Sequence, residues 1–415
     1  MLGWHPSREQ LDRHVRDELP LPQRRRVGRH LSNCPLCQRR EHRMSAEASQ
    51  NIPVSYEAAI QRAAQGAANW LKRLEDESHH ARELLGELLR DSGPEPLDRL
   101  RRASPALSLK LLRLIQERCR AAWFEEPARA LELAQLEVAV AERLDEARCG
   151  SGIAADSRAL VWADLGNSYR ILSDFRSAEL ALRKATEYQQ LSGDPLTESK
   201  ILGIQASLLK NQGRFEESLS LWDRVVKRAR EADDRHLEGW ALFAKGTTAS
   251  TQAIAGRGNF RNSIRLLRKG LSRLNLTADQ DLLLMVHHNM LVTLAEAGRP
   301  CEAEQILGRE RHLYENLGKE TFFAKLRWLE GSIDEGLGRL ARAETAMRSA
   351  REQLQQQQRV LEWAVVSLQL SMVLCKQDRR GEARRLVEEN IPVFDELGIY
   401  PKAFAARLLA HRLRS

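Results

Sequence analysis

The stretch WADLGNSYRILSDFRSAELALRKA, residues 162–185, reads as two helices joined by a short polar turn, with a small residue, Ala178, where the second helix opens. The arrangement recurs down the chain. A small residue opens each second helix at Ala178, Ser218, Ser263, Ala303, Ala343 and Ala383, at intervals of 40, 45, 40, 40 and 40 residues. A fixed period of this size is the sign of a solenoid, in which each helix pair buries its apolar face only by stacking on its neighbours. The turns agree: SDFRSA, GRFEES, GNFRNS, GRPCEA, GRLARA and DRRGEA each place a polar or glycine-containing bend just before the small residue. That residue must be small because two helices approach closely there. The interval of 45 predicts an insertion near TQAIAGRGN, and six repeats with a capping helix from Pro401 account for the C-terminal half of the chain.

Composition points the same way. Of 415 residues, 42% are hydrophobic, 29% charged and only 5% aromatic, an abundance of helix formers with almost no strand signal. An all-α architecture is expected. No apolar run approaches the roughly 20 residues that cross a bilayer, and MLGWHPSREQ lacks the apolar centre of a signal peptide, so the expected location is the cytoplasm. Cys119, Cys149, Cys301 and Cys375 are scattered through helical segments without recognisable spacing, which argues against a disulfide framework.

In type and spacing, Trp162, Leu165, Gly166, Tyr169, Ala178, Leu182 and Ala185 resemble the signature of the tetratricopeptide repeat. The other repeats are looser. Trp222, Leu267, Leu307, Met347 and Val387 keep the bulky position four residues after the small one, but most of these repeats lack the first-helix aromatics. A period near 40 exceeds the roughly 34 residues usual for the repeat, which predicts longer helices. The resemblance implies a superhelical array that binds a protein or peptide on its concave face. It places Asn167 and Arg170 of one repeat, with Lys200 and Lys210 of the next, on that face as a cradle for an acidic tail. The lysine–asparagine clamp for a terminal carboxylate is incomplete, because Ala163 takes its first lysine position.

At the other end, His5, His30, Cys34 and Cys37 have the types and spacing of a tetrahedral zinc site, three of them within HLSNCPLC. His30 and Cys34 are one helical turn apart, and Cys34 to Cys37 is the tight loop that brings two thiolates onto one metal. Pro35 predicts that a helix ending near His30 gives way to a turn and a new helix. The segment HPSREQLDRHVRDELPLPQRRRVGRHLSNCPLC, about 40 residues with its flanks, resembles the zinc-binding anti-sigma domain of bacterial regulators. By that resemblance His5, His30, Cys34 and Cys37 are the metal ligands, and Leu11, Leu19, Val27 and Leu31 form the small core. His14 packs rather than ligates. Asp17 stands where that family commonly has glycine, and QRRRVGRH is more basic than usual. The implied cofactor is one zinc ion, structural or redox-sensitive, and the implied partner is a sigma factor of the extracytoplasmic-function class.

Net charge of +8 is concentrated at this end, where residues 1–45 hold ten arginines against five acidic residues. Nucleic-acid binding is not expected, since no recognition helix or aromatic interleaving accompanies Arg24, Arg25, Arg26 and Arg29, and charge runs are usually solvated faces. The histidine pairs at 79–80 and 287–288 point about 100° apart on a helix and do not share a metal easily. No phosphate loop, nucleophile elbow, H-E-x-x-H or dinucleotide fingerprint occurs, so no enzyme is expected. The expected order is a zinc-binding module at 1–45, a helical linker or hairpin at 46–104, a degenerate repeat-like hairpin at 105–150, about six repeats at 158–399 and a capping helix at 400–415. The expected role is an interaction regulator that modulates a sigma factor. The alternative is a scaffold of an unrelated complex in which the zinc module is only structural.

Overall fold

In the computed structural model the chain is all-α, with no strand among the described residues, which are 4–50, 56–90, 96–102, 108–123, 126–276, 280–317 and 320–414. The break expected in DSGPEP and the helix start expected at Pro105 lie outside the described residues, Pro96 excepted. The chain forms two compact units, Met1–Asp76 and Glu77–Ser415.

The first unit is built on three short helices, α1 (Arg8–Val15), α2 (Leu21–Leu31) and α3 (Pro35–Gln50), followed by α4 (Tyr56–Leu88), within which the unit boundary falls. Ser7 starts α1 with a capping box: its hydroxyl accepts from the Gln10 backbone N–H at 3.1 Å and its own N–H donates to the Gln10 side chain at 3.0 Å. Asp17 carries φ +62°, and aspartate tolerates the left-handed region better than most residues. Proline sits at the start of α2 and of α3, where a missing N–H costs nothing. Leu11, Leu19, Val27, Leu31 and Cys37 are buried together as the core of this unit.

In the second unit the C-terminal part of α4 packs with α5 (Pro96–Arg102), α6 (Leu109–Ala122), α7 (Pro127–Ala141) and α8 (Glu146–Cys149). Leu111, Ile115 and Cys119 of α6 face Leu133, Ala134 and Val140 of α7 in one apolar cluster that extends to the first helix of the array. Among the described residues the segment 46–104 holds the end of α3, the long helix α4 and the short helix α5.

The array follows as pairs: α9 (Ser151–Ile171) with α10 (Phe175–Ser192), α11 (Pro195–Asn211) with α12 (Phe215–Glu231), and α13 (Arg235–Ile254) with α14 (Phe260–Leu271). Then come α15 (Gln280–Glu296) with α16 (Pro300–Leu317), α17 (Glu320–Gly336) with α18 (Leu340–Gln356), α19 (Val360–Lys376) with α20 (Arg380–Glu396), and the cap α21 (Tyr400–Arg412). The expected small residues are each the fourth residue of the second helix of a pair and are fully buried. Four residues on, Leu182, Trp222, Leu267, Leu307, Met347 and Val387 are buried beneath the partner helix. The two serines at the small position satisfy their hydroxyls on the facing helix: Ser218 donates to the Ala206 carbonyl at 2.7 Å and Ser263 to the Gly246 carbonyl at 2.9 Å. Helices of 17 to 21 residues are common in the array, which accounts for the long period.

The insertion in the third repeat takes a specific form. Three of its five residues lengthen α13 to 20 residues and two lengthen the turn before α14. In the other five repeats the left-handed residue of the turn, Ser173, Gly213, Gly298, Gly338 or Asp378, falls five residues before the small one. In the third repeat Gly256 falls seven before it. Here α13 and α14 approach closely at Gly270, where a Cβ would meet the Phe243 backbone nitrogen and the Gly239 carbonyl oxygen, and at Gly246, where it would meet Leu267.

The array closes on itself. One apolar cluster holds Phe175, Leu182 and Leu208 of the first two repeats together with Ala364, Phe394 and Ile399 of the last repeat and its cap. Across the inside, the Gln369 amide of α19 donates to Glu296 of α15 at 2.8 Å and its oxygen accepts from the Trp328 indole of α17.

Candidate functional site

Four stretches of chain bring the N-terminal ligands together. His5 comes from the segment before α1, His30 from the last turn of α2, Cys34 from the turn after it and Cys37 from the first turn of α3. Ser32 and Asn33 fold that turn by donating side-chain hydrogen bonds back to the Gly28 and Arg29 carbonyls at 2.9 and 3.0 Å. The four ligand atoms all lie within 4.8 Å of one another, with His5 Nδ1 at 3.3 Å from Cys37 Sγ and 3.7 Å from Cys34 Sγ. For metal–nitrogen bonds of about 2.0 Å and metal–sulfur bonds of about 2.3 Å, the edges of a tetrahedron come to roughly 3.3–3.8 Å. His30 Nε2 is buried without a hydrogen-bond partner, as a ligand nitrogen would be. His5 stands at tetrahedral distance from both thiols, and the group could hold one four-coordinate metal ion once its widest separation closes by about 1 Å. The Cys37 backbone N–H holds the Cys34 thiol below the ordinary cysteine range, whereas burial pushes the Cys37 thiol up. His14 lies outside this group, and among the described residues no other histidine–cysteine–carboxylate group is gathered in this way.

Around the site the surface is basic and partly aromatic. Trp4 meets the edge of the His30 ring at a centroid distance of 5.6 Å, and the Arg26 guanidinium lies 4.3 Å over the Trp4 ring. Arg25 and Arg29 are exposed alongside them.

On the inside of the array, Arg170 of α9 donates from Nε and Nη2 to the Asn167 side-chain oxygen at 3.0 and 2.7 Å. Lys210 of α11 lies close enough for the two cations to oppose each other's charge. Burial, with Arg359 next, pushes Arg170 down to about 10, and burial, with Arg170 and Lys325 next, pushes Lys210 down to about 8. Lys325 of α17 is likewise pushed down to about 8, by burial and then by Arg359. Lys200 does not join them: it is exposed, and its charge acts on Asp164. Ala163 is buried in the packing of α9, so no clamp lysine is replaced there by an equivalent cation.

Sequence reasoning missed Lys325, Arg359 and Glu362. These come from the fifth and sixth repeats, and only the closure of the array sets them against Arg170 and Lys210. A second unforeseen group lies at the join of α6, α7 and α9. Glu137 is completely buried with both carboxylate oxygens unpartnered, near Asp164, which Arg120 engages at 2.9 Å. Burial and then the Asp164 charge push the Glu137 carboxyl well above the usual range.

The histidine pairs serve locally. His287 contacts Glu310 at 2.6 Å, and half-buried His288 faces the Tyr314 hydroxyl at 3.1 Å with its basicity pushed down to about 3 by desolvation and by Lys325.

No protein-family model matches the sequence, and no curated protein matches it. Two solved structures are similar in fold. One is a Rap protein complexed with competence and sporulation factor, at 11% identity and TM-score 0.51 over 85% of this chain and 98% of that one. The other is aspartyl phosphate phosphatase F from Bacillus subtilis, at 12% identity and TM-score 0.51 over 96% of this chain and 97% of that one. Both likenesses are of fold.

Proposed function

We propose that the chain is a non-enzymatic, cytoplasmic interaction protein in which a zinc-held N-terminal module is joined to an array that binds a protein or peptide. The observation that carries this reading is the convergence of His5, His30, Cys34 and Cys37, from the segment before α1, α2, the turn after it and α3, onto one point. Two thiolates and two imidazoles fill a zinc tetrahedron and leave no open position for a substrate, the pattern of a structural site. Bound zinc would supply the folding free energy that five buried residues are too few to provide, on the order of 10 kcal/mol. His5 ties the chain entry to the α2–α3 corner, which fixes the angle between those helices and thereby the surface offered to a partner.

The partner proposed for this module is a sigma factor of the extracytoplasmic-function class, on the resemblance of the first 40 residues to anti-sigma domains. For the array, support comes from its inward cations and from the Rap structure of like fold, which holds the competence and sporulation factor. One observation favours the second reading, a scaffold with a structural zinc module. Arg25, Arg26 and Arg29 are exposed on or beside α2, and such a face repels the positive DNA-binding surfaces of a sigma factor.

Affinity capture from extracts of the source cells, with the intact chain and a Cys34→Ser/Cys37→Ser variant as baits, separates the two. A sigma factor held only by the intact chain supports the regulatory reading. Identical partners on both baits with no sigma factor overturn it in favour of the scaffold.

A further inference from the structure

Arginine–glutamate pairs three residues apart recur where helices of the array begin, and they give an internal standard. Arg214 closes on Glu217 with two parallel bonds of 2.7 and 2.6 Å, and Arg379 closes on Glu382 with two of 2.7 Å. Both forks are exposed. The pair Arg359 and Glu362 has the same spacing at the start of α19, yet its one contact is 3.5 Å. Arg359 is only 3% exposed, and its Nε and Nη1 have no hydrogen-bond partner. The Trp363 indole N–H, one turn further along α19, also lacks an acceptor. A buried guanidinium with idle donors is costly, and natural proteins rarely leave one so.

The surroundings make the deficit larger. Arg359 acts electrostatically on Arg170 and Lys325, and Lys210 feels both of those, so four cations from the first, second, fifth and sixth repeats share one region. Glu362 is the acidic group that acts on Arg170, Lys210 and Lys325 alike. Lys325 lies 5.5 Å over the Phe322 ring, and neutral His288 borders the region without adding charge. These cations come from opposite ends of the array, so their repulsion works against the apolar contact of Phe175 and Leu208 with Phe394 and Ile399.

We infer that Arg170, Lys210, Lys325 and Arg359 form an anion site across the closure of the array, which takes a carboxylate and thereby staples the first repeats to the last. The carboxylate accepts from the idle donors of Arg359 and offsets the charge that separates the ends. The choice of a carboxylate over other oxyanions rests on the reading of the array as protein- or peptide-binding; the site itself does not.

The test uses the full chain, with thermal unfolding followed while citrate is titrated against sodium chloride at equal ionic strength. Citrate should raise the midpoint saturably, and Arg359→Gln should weaken that response by about tenfold to a hundredfold, as expected for hydrogen bonds to a charged group. Lys210→Gln, at a half-buried position, should weaken it less, and Arg384→Gln on the outer surface should leave it unchanged. Equal responses in chloride and citrate, or a response that survives in both Arg359→Gln and Lys210→Gln, overturn the site. Inorganic phosphate more potent than citrate overturns the assignment to a carboxylate. A synthetic peptide ending in three acidic residues identifies the source: competition with citrate at equal carboxylate concentration supports a peptide carboxylate, and citrate without peptide binding supports a small free acid and counts against a peptide-binding array.

Discussion

Replacing Gly270 by alanine tests how tightly α13 and α14 are pressed together. A Cβ there would lie 2.6 Å from the Phe243 backbone nitrogen, 2.7 Å from the Gly239 carbonyl oxygen and 2.8 Å from Phe243 Cβ. All three atoms belong to the backbone of α13 or are rigidly attached to it, so no rotamer change relieves the clash and α14 has to back away. A gap of roughly 0.5–1 Å forfeits a quarter to a half of the dispersion at the seam. Overpacking of this kind costs about 1–3 kcal/mol, with the upper end expected where backbone is the obstacle. Alanine returns about 1 kcal/mol of helix propensity, which leaves a net loss of about 2 kcal/mol. The same substitution at Gly308, inside α16 with nothing within 4 Å, should gain about 0.5–1 kcal/mol. Urea unfolding reports both through tryptophan fluorescence, since Trp222 and Trp240 stack edge to face at 5.1 Å beside the seam. With a slope of about 3 kcal/mol per molar urea or above, as the length of the chain implies, the two variants should differ in midpoint by about 0.5–1 M. If both alanines raise the midpoint alike, the helices are not in backbone contact and the reasoning fails.

Two further outcomes are expected. Glu137→Gln should stabilise the protein increasingly as pH rises above the ordinary glutamate range, because the native carboxyl holds its proton while the unfolded one releases it, and stability is therefore lost with rising pH in the wild type. Thermal midpoints of the two proteins that stay parallel between pH 4 and pH 8 would contradict this. Treatment with a chelator should remove one zinc per chain and expose residues 4–50 to proteolysis while the unfolding of the array stays in place, because the module has its own core. Elemental analysis and peptide mapping decide it, and a Cys37→Ser chain that keeps stoichiometric zinc would refute the ligand set.

The repeat architecture could be read in advance because a steric demand recurs. Ala178, Ser218, Ser263, Ala303, Ala343 and Ala383 answer the same close approach, and a periodic cause leaves a periodic trace. The four N-terminal ligands were visible for another reason, since few residue types bind a metal and helical spacing limits how they meet. Arg359, Lys325 and Glu362 left no such trace: their meeting with Arg170 depends on how much the stack curves, a sum of small rotations that no single repeat records. Lys200 shares a helix with Lys210 but is exposed, because ten residues along α11 carry it about 15 Å away. In the sequence Glu137 is one more charged residue in a helix, and only its complete burial makes it unusual. The extra length of the third repeat was seen as an insertion, but its division between helix and turn follows from where Gly256 takes the left-handed backbone.

The contact between the first repeats and the last has an evolutionary consequence. An open stack can gain or lose a unit by recombination within its gene, and each change merely moves an end. Here Phe175 and Ile399 must still find each other after any such event. One unit more or fewer would alter the circumference and part them, so a change in the number of units is expected to cost more here than in an open stack, whereas substitutions and small adjustments of length such as that between α13 and α14 leave the closure in place.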